Sequence, residues 1–107
     1  MSEPVQPVIV TAYFEPVAGK RDDLIAVLGE IIPRVHAEAG CELYAIHDAP
    51  DGSIVMLEKW TSAADLDAHA AGEVLVDLGV ALEGLLTEPV RVVRLVPLPF
   101  GDQRGAL

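Results

Sequence analysis

Two strand-like runs joined by a short turn constrain this fold more than any other feature of the sequence. Residues 41–48 and 53–60 are rich in apolar side chains, and Pro50-Asp51-Gly52 lies between them. Proline presets the backbone of a turn, and glycine adopts conformations that other residues avoid. The pattern therefore predicts strands Cys41–Asp48 and Ser53–Trp60, paired as an antiparallel hairpin.

The other periodic segments place this hairpin inside one domain. The segment Val8–Phe14 is uncharged on both sides, as in a strand whose two faces are covered. A second strand-like segment lies near the end of the chain, and three others have apolar residues at helical spacing. The predicted elements, in chain order, are strand Val8–Phe14, helix Lys20–Glu38, the two hairpin strands, helix Ala63–Ala70, helix Glu73–Leu86 and strand Val90–Leu98. A single domain over residues 1–107 follows, with a core at about residues 8–98 and a tail at 99–107.

Local signals set the predicted ends of the helices. Ser62 precedes the second helix and Asp65 follows three residues later, which is typical of a helix N-cap. Pro33 interrupts the first helical pattern, so we expect a kink, or a split near Ile32. Gly40 ends that segment, because glycine readily takes the left-handed conformation that follows many helices.

The order of the elements predicts the fold class. With Ala63–Ala70 and Glu73–Leu86 counted as one helical segment broken at Gly72, the order is strand, helix, strand, strand, helix, strand, the plan of ferredoxin-like α+β domains with an antiparallel sheet. Two helices cover only one face of such a sheet, yet the predicted strands carry no clearly polar side. We therefore expect a homodimer, in which a second copy of the chain covers the other face, sheet against sheet.

Composition excludes several classes of partner. The chain has 17 acidic residues against seven lysines and arginines, a net charge of −10. Nucleic acids and anionic membranes require a cationic surface, so neither is expected, and the acidity favours a neutral ligand. The lone cysteine cannot form an internal disulfide, no apolar run is long enough to span a membrane, and the N-terminus lacks signal-like blocks. We expect a cytoplasmic protein.

Three short motifs resemble the antibiotic biosynthesis monooxygenase domain family, which includes small quinol monooxygenase-like proteins. The motifs are Glu38-Ala39-Gly40-Cys41-x-x-Tyr44, Glu58-x-Trp60 at the end of the hairpin, and Leu66-x-x-His69 on the next helix. The resemblance covers roughly residues 8–98. It implies a dimeric α+β barrel, a pocket between helices and sheet in each subunit, and oxygen chemistry without a flavin or a metal.

His69 is the candidate catalytic base. Imidazole titrates near neutral pH and can remove a phenolic proton. Asp65 lies four residues earlier on the same helix and is predicted to orient His69. Leu66 shares that face and points inward, so partial burial of His69 is expected. The alternative is a histidine that only packs against or caps the short helix.

Two aromatic residues are candidate contacts for the substrate. Trp60 ends the hairpin, where it can stack on a flat aromatic ligand with its N–H free to donate. Tyr44 can bind a quinol oxygen through its hydroxyl. Both are also common as plain core residues. Their directions follow from strand parity, and a one-residue bulge would reverse them.

The remaining reactive side chains carry weaker signals. His36 and His47 are expected at the surface, and the spacing of the histidines predicts no metal site. Cys41 is expected to be a small buried side chain. Glu58 is a further candidate catalytic residue, but a carboxylate beside Lys59 is expected to be a solvated or cross-strand pair. No dinucleotide-binding glycine motif and no Gly-x-Ser-x-Gly is present, so we predict no such cofactor and no hydrolase nucleophile.

Three functions stay open at this level. The first is a cofactor-free monooxygenase that oxidises a small quinol or phenolic aromatic with O2, with His69 as the base. The second is haem degradation, for which the resemblance implies an asparagine on the first strand together with a tryptophan and a histidine. That strand offers Thr11 and no asparagine. The third is a ligand-binding dimer without turnover.

Overall fold

The computed structural model describes residues 5–107, and its elements follow the predicted order. They are β1 (Val8–Phe14), α1 (Arg21–His36), β2 (Cys41–Asp48), β3 (Ile54–Trp60), α2 (Ala63–Ala70), α3 (Glu73–Ala81) and β4 (Arg91–Leu95), then a 3₁₀ turn at Gln103–Gly105. The strands form one antiparallel sheet in the order β2-β3-β1-β4. The predicted ferredoxin-like α+β class is confirmed. No helix within this range is long and apolar enough to cross a membrane.

The helices and one face of the sheet enclose the hydrophobic core. Alternate residues of β1 and β3 point toward the helices, and α1 presents a stripe of apolar side chains to them. The largest fully buried side chains are Trp60, Leu24, Leu28, Ile54, Met56, Val10 and Val35. This core holds the sheet and α1 in a fixed relation, on which the position of the site depends.

Helix α1 continues through Pro33, so the predicted split near Ile32 is wrong. Pro33 lies in the last turn of the helix, where its missing N–H removes a single hydrogen bond. Ile31 and Val35, both buried, hold this turn on the sheet. Gly40 follows with a φ of +82°, the left-handed conformation that was expected there.

Helix α3 is shorter than predicted, ending at Ala81 rather than at Leu86. The chain beyond it bonds to the loop after β1, where the Val17 N–H donates to the Leu85 carbonyl at 2.8 Å. Gly84, with a φ of +80°, turns the backbone out of the helical path. These contacts replace the helical hydrogen bonds that the apolar periodicity suggested.

Strand β4 is also shorter than predicted, ending at Leu95 rather than at Leu98. Pro97 and Pro99 lack the N–H that a strand ladder requires, so pairing stops before them. The predicted tail therefore begins a few residues earlier than expected.

The second face of the sheet carries no helix. Its central row runs across all four strands and consists of Ala45, Leu57, Thr11 and Val93. Each of these side chains is partly exposed in the single chain. The face is therefore uncharged along its centre and open, as the strand patterns indicated.

Candidate active site

A cavity of about 290 Å³ lies between the sheet and helices α2 and α3. Most of its wall is apolar, and its polar side chains are Tyr44, Glu58, His69 and Arg94. Its volume falls at the lower end of the roughly 300–1,000 Å³ that is usual for small-molecule sites. The cavity therefore suits a small, mainly apolar ligand that is oriented by a few polar groups.

One cross-strand row gathers three of these polar groups. Tyr44 is paired with Glu58, Glu58 with Val10, and Val10 with Arg94. Directly paired residues point to the same side of a sheet, so the whole row faces the helices. The next row on this face is apolar and consists of Ile46, Met56, Ala12 and Val92. The cavity thus has a polar part and an apolar part.

A β-bulge turns Tyr44 toward the cavity. The pairing of β2 with β3 shifts between Cys41 and Leu43, which leaves Glu42 without a partner in the register. Cys41 and Tyr44 are three residues apart and would face opposite sides of a regular strand, but both pack on the same core. Tyr44, a predicted substrate contact, therefore lines the cavity.

His69 lies on α2 and is only 4% exposed, so the expected burial is confirmed. The helix begins where the Ser62 hydroxyl accepts a hydrogen bond from the Asp65 N–H at 3.1 Å, the predicted N-cap. The imidazole packs on Trp60, with ring centroids 4.5 Å apart, and meets Tyr44 edge to face at 5.5 Å. These contacts fix the plane of the ring.

Glu38 makes the contact to His69 that was predicted for Asp65. His69 Nδ1 lies 3.1 and 3.2 Å from the two carboxylate oxygens of Glu38. The Asp65 carboxylate instead accepts a hydrogen bond from the Ser62 hydroxyl at 3.1 Å. The i,i+4 spacing placed Asp65 on a suitable face, but its short side chain is held at the helix N-terminus. Glu38 is distant in sequence, and only its place in the first motif pointed to it.

The Glu38 contact determines which nitrogen of His69 can react. Nδ1–H donates to the carboxylate, so Nε2 carries the free lone pair. Nε2 makes no hydrogen bond to residues 5–107, and in that range no buried side-chain nitrogen or oxygen lacks a partner. His69 lines the cavity, so Nε2 is the nitrogen left to accept a proton from a ligand there.

Trp60 lies behind His69 rather than on the cavity wall. Its side chain is fully buried. Its Nε1–H, expected to be free, donates to Glu58 Oε1 at 2.9 Å. The predicted stacking of Trp60 on a ligand is therefore not available in this conformation, and the ring supports the imidazole instead.

Glu58 is the site residue whose environment the sequence misjudged. It was expected to pair with Lys59 or with solvent, but it is 5% exposed and lines the cavity. Strand alternation sends Lys59 to the opposite face, where its Nζ donates to the Leu107 carbonyl at 2.7 Å. Burial raises the pKa of the Glu58 carboxyl, although the hydrogen bond from Trp60 and the charge of His69 oppose this shift.

Burial also controls the protonation of Tyr44 and Cys41. The pKa of Tyr44 is raised well above its ordinary value by burial first, and then by the charges of Glu58 and Glu38. Its hydroxyl thus stays protonated at neutral pH and can donate a hydrogen bond. Burial is also the main reason that the pKa of the Cys41 thiol is raised. This side chain packs against the core as a small apolar group.

The other two histidines lie outside the cavity. His36 Nε2 is 3.1 Å from the Tyr44 carbonyl oxygen, and His47 Nδ1 is 3.4 Å from the Val55 carbonyl oxygen. Both side chains are exposed, as predicted. Among the residues that the structure describes, no three histidine, cysteine, aspartate or glutamate side chains are grouped so as to hold a metal ion.

The cavity does not fit the haem-degradation hypothesis. Strand β1 contributes Val10, Ala12 and Phe14 to the wall, all apolar, while Thr11 belongs to the opposite face. No asparagine is present at this position. The cavity is also small for a macrocycle, and Trp60 is buried behind the histidine.

Together, the sheet order and the cavity define a small α+β domain with a ligand site between its sheet and its short helices. Residues 7–76 match the antibiotic biosynthesis monooxygenase family. The chain therefore belongs to this family, which confirms the resemblance seen in its motifs.

Solved relatives share the fold over nearly the whole chain. Rv0793 of Mycobacterium tuberculosis, which carries a provisional monooxygenase name, is 36% identical over 93 residues, or 86% of this chain and 92% of the relative. Its structure superposes with a TM-score of 0.81 at 34% identity, covering 90% of this chain and 99% of that one. PA3566 of Pseudomonas aeruginosa gives a TM-score of 0.80 at 25% identity, covering 91% and 99%.

Proposed function

We propose that this protein is a cofactor-independent monooxygenase that oxidises a small neutral quinol or phenol with O2. The observation that supports this best is the Glu38–His69 pair, which leaves His69 Nε2 open to an apolar cavity. Membership of the family supports the monooxygenase class. The apolar wall and the net charge of −10 both favour a neutral aromatic ligand.

In this proposal, proton removal starts the reaction. His69 Nε2 takes the hydroxyl proton of the substrate, and the Glu38 carboxylate stabilises the imidazolium that forms, as an acid partner does in other histidine-based sites. The Tyr44 hydroxyl donates a hydrogen bond to the substrate oxygen. A positioned proton transfer of this kind contributes about 10²–10⁴-fold to the rate.

The substrate anion then supplies the electrons. One electron passes to O2, and the phenoxyl radical and superoxide combine at a ring carbon to give a substrate peroxide. Loss of water yields the quinone, so that one phenol and one O2 become one quinone and one water. The apolar wall limits the entry of water and with it the side reactions of reduced oxygen.

We further propose that the working unit is a homodimer that forms through the open sheet face. The central row of that face, Ala45, Leu57, Thr11 and Val93, has no charged side chain. A sheet face with an apolar, uncharged centre is buried against a second layer, and a twofold partner supplies one. A cytoplasmic location stays a prediction from the sequence.

Oxygen uptake tests the role of His69. The purified protein is supplied with a panel of hydroquinones and phenols, and the rates of wild type, His69→Ala and His47→Ala are compared. We expect His69→Ala to lose at least about tenfold in kcat, whereas His47→Ala, which removes an exposed imidazole outside the cavity, keeps the wild-type rate. Equal rates for His69→Ala and wild type would remove His69 as the base.

Glu38→Ala tests the positioning of the imidazole in the same assay. We expect kcat to fall by about tenfold or more with little change in KM, since ground-state binding does not need the carboxylate. Nitrogen NMR of the imidazole provides a second readout, because the tautomer with a proton on Nδ1 should lose population. No oxygen uptake by wild type with any substrate, together with binding of phenols, would favour a binding dimer instead.

A further inference from the structure

Glu58 is a cavity residue that the proposed mechanism leaves without a role. Its side chain is 5% exposed, and Oε1 accepts the hydrogen bond from Trp60. Oε2 makes no hydrogen bond to residues 5–107, where no buried side-chain oxygen or nitrogen lacks a partner. Glu58 lines the cavity, so Oε2 is the carboxylate oxygen left to contact a ligand there.

The structure does not require an acid at this position for packing. No cation in the described part of the chain lies within ion-pair distance of Glu58. The two candidates that line the cavity have other partners: Arg94 pairs with Asp67 at 2.8 Å, and His69 pairs with Glu38. A glutamine would accept the Trp60 N–H equally well without the cost of a buried charge. What a carboxyl offers and an amide does not is the transfer of a proton.

Building on the proposed oxidation, we infer that Glu58 is a second catalytic residue, which moves the proton at the ring carbon that oxygen attacks. After that attack, the carbon bears both a hydrogen and the peroxide group. The chemistry therefore needs a second base, at a ring position distant from the hydroxyl that His69 deprotonates. Glu58 on the sheet and His69 on α2 both line the cavity and both contact Trp60, so two proton-accepting groups face one bound ring.

The step balances without any further reactant. The peroxide anion first takes back the proton held by His69. The Glu58 carboxylate then removes the ring hydrogen as a proton, the electrons of the C–H bond form the second carbon–oxygen bond, and the O–O bond breaks. The hydroxide that is released takes the proton from Glu58 and leaves as water. Both side chains return to their starting states.

The charges around Glu58 support a basic carboxylate. Burial is the largest influence and raises its pKa, and the negative charge of Glu38 acts in the same direction. The Trp60 hydrogen bond, His69 and Arg94 act against it without reversing the shift. A carboxylate with a raised pKa is a stronger base than an exposed one.

Glu58→Gln tests this inference, because the amide oxygen keeps the Trp60 hydrogen bond. The substrate is 1-naphthol, prepared with either hydrogen or deuterium at carbon 4. Enzyme and substrate are mixed rapidly, and the loss of oxygen and the formation of quinone are measured during the first turnover. We expect wild type to form quinone in step with oxygen loss. The variant should consume oxygen first, form quinone about 10²-fold more slowly, and show a primary isotope effect that is larger than in wild type. Glu42→Gln, an exposed change on the same hairpin, should behave as wild type.

The outcomes separate this inference from the function on which it rests. If Glu58→Gln slows oxygen loss and quinone formation together, with an unchanged isotope effect, its role is structural and the inference fails. If the variant matches wild type, the inference fails while the monooxygenase proposal stands. If wild type consumes no oxygen with 1-naphthol or with the broader panel, both fail.

Discussion

Glu38 and Glu58 differ in their surroundings, and this difference underlies the separate roles that we propose for them. The Glu38 side chain is 24% exposed and holds the imidazole of His69. Glu58 is almost fully buried, bonds Trp60 through one oxygen, and has its pKa raised by burial. Groups of one type with different environments can serve different steps of one reaction. The carboxylate that retains solvent contact is suited to orienting a base, and the buried one to moving a proton.

The raised pKa of Glu58 predicts a pH-dependent difference in stability between wild type and Glu58→Gln. A carboxyl with a raised folded pKa binds more protons in the folded chain than in the unfolded chain, so it lowers stability as the pH rises above its ordinary value of 4.5. The glutamine variant escapes this loss. We expect its Tm to exceed that of wild type at pH 7, by about 4–8 °C for each kcal/mol by which the substitution raises the free energy of unfolding.

Thermal unfolding between pH 4 and pH 8 checks this expectation. The difference in Tm should shrink toward zero at and below about pH 4.5, where both side chains are neutral. A wild type that is more stable than Glu58→Gln at pH 7 would contradict the raised pKa. Glu42→Gln, whose carboxyl is exposed, provides the matched control.

At the scale of elements, Gly40 sets the approach of α2 to the junction between α1 and β2. Its φ is +82°, and a methyl group there would lie 2.3–2.5 Å from atoms of the Asp65 side chain. Gly52 and Gly84 also have positive φ but open space around the same position. Substitution by alanine therefore strains the backbone at all three sites but causes overlap only at Gly40.

We expect Gly40→Ala to destabilise the protein by about 1–3 kcal/mol more than Gly52→Ala or Gly84→Ala, because overpacking adds to the backbone cost. Denaturant unfolding measures the three values. Oxygen uptake should also fall in Gly40→Ala, since displacement of α2 moves His69 away from Glu38. Equal destabilisation at the three glycines would show that Asp65 moves aside without cost.

The sequence predicts well those elements that one local signal governs. Alternation gave the bounds of β1 and β2, and the Ser62 cap gave the start of α2. The predicted bounds of the elements were wrong where tertiary contacts override the periodicity of the sequence. Helix α3 ends early because its expected last turn bonds to the loop after β1, and α1 passes through Pro33 because buried neighbours hold its last turn.

The same division applies to the site. His69 was placed by its residue type and by the inward face it shares with Leu66, whereas Tyr44 lines the cavity because a β-bulge changes the parity of β2. The Glu38–His69 contact joins residues 31 positions apart and has no local signature. The burial of Glu58 was missed because its neighbour Lys59 suggested an exposed pair, whereas alternation puts the two side chains on opposite faces.

At the scale of the whole molecule, the open sheet face predicts the oligomeric state. Leu57 lies at the centre of that face, paired with Thr11 and Ala45. In a sheet-to-sheet dimer, Leu57→Glu would bury two like charges near the twofold axis, which is strongly unfavourable. We expect wild type to be a dimer by size-exclusion chromatography with light scattering, and Leu57→Glu to be a monomer.

Val76→Glu is the matched control for this change. Val76 is 65% exposed on α3, on the helical side of the molecule. The Val76→Glu substitution adds the same charge without changing the open face, so this variant should remain a dimer. A monomeric wild type would contradict the dimer itself, and a dimer that survives in Leu57→Glu would place the contact between subunits elsewhere.

The extra residue in β2 has a consequence for how this scaffold can diversify. Because Glu42 stands outside the ladder, the two halves of β2 are offset by one position, and the half that follows places Tyr44 on the cavity wall. Losing or moving that single insertion would present a different set of side chains at the same spot, while the strand order stayed as it is. Gain and loss of one amino acid, rather than replacement, is thus a short evolutionary route to a new substrate.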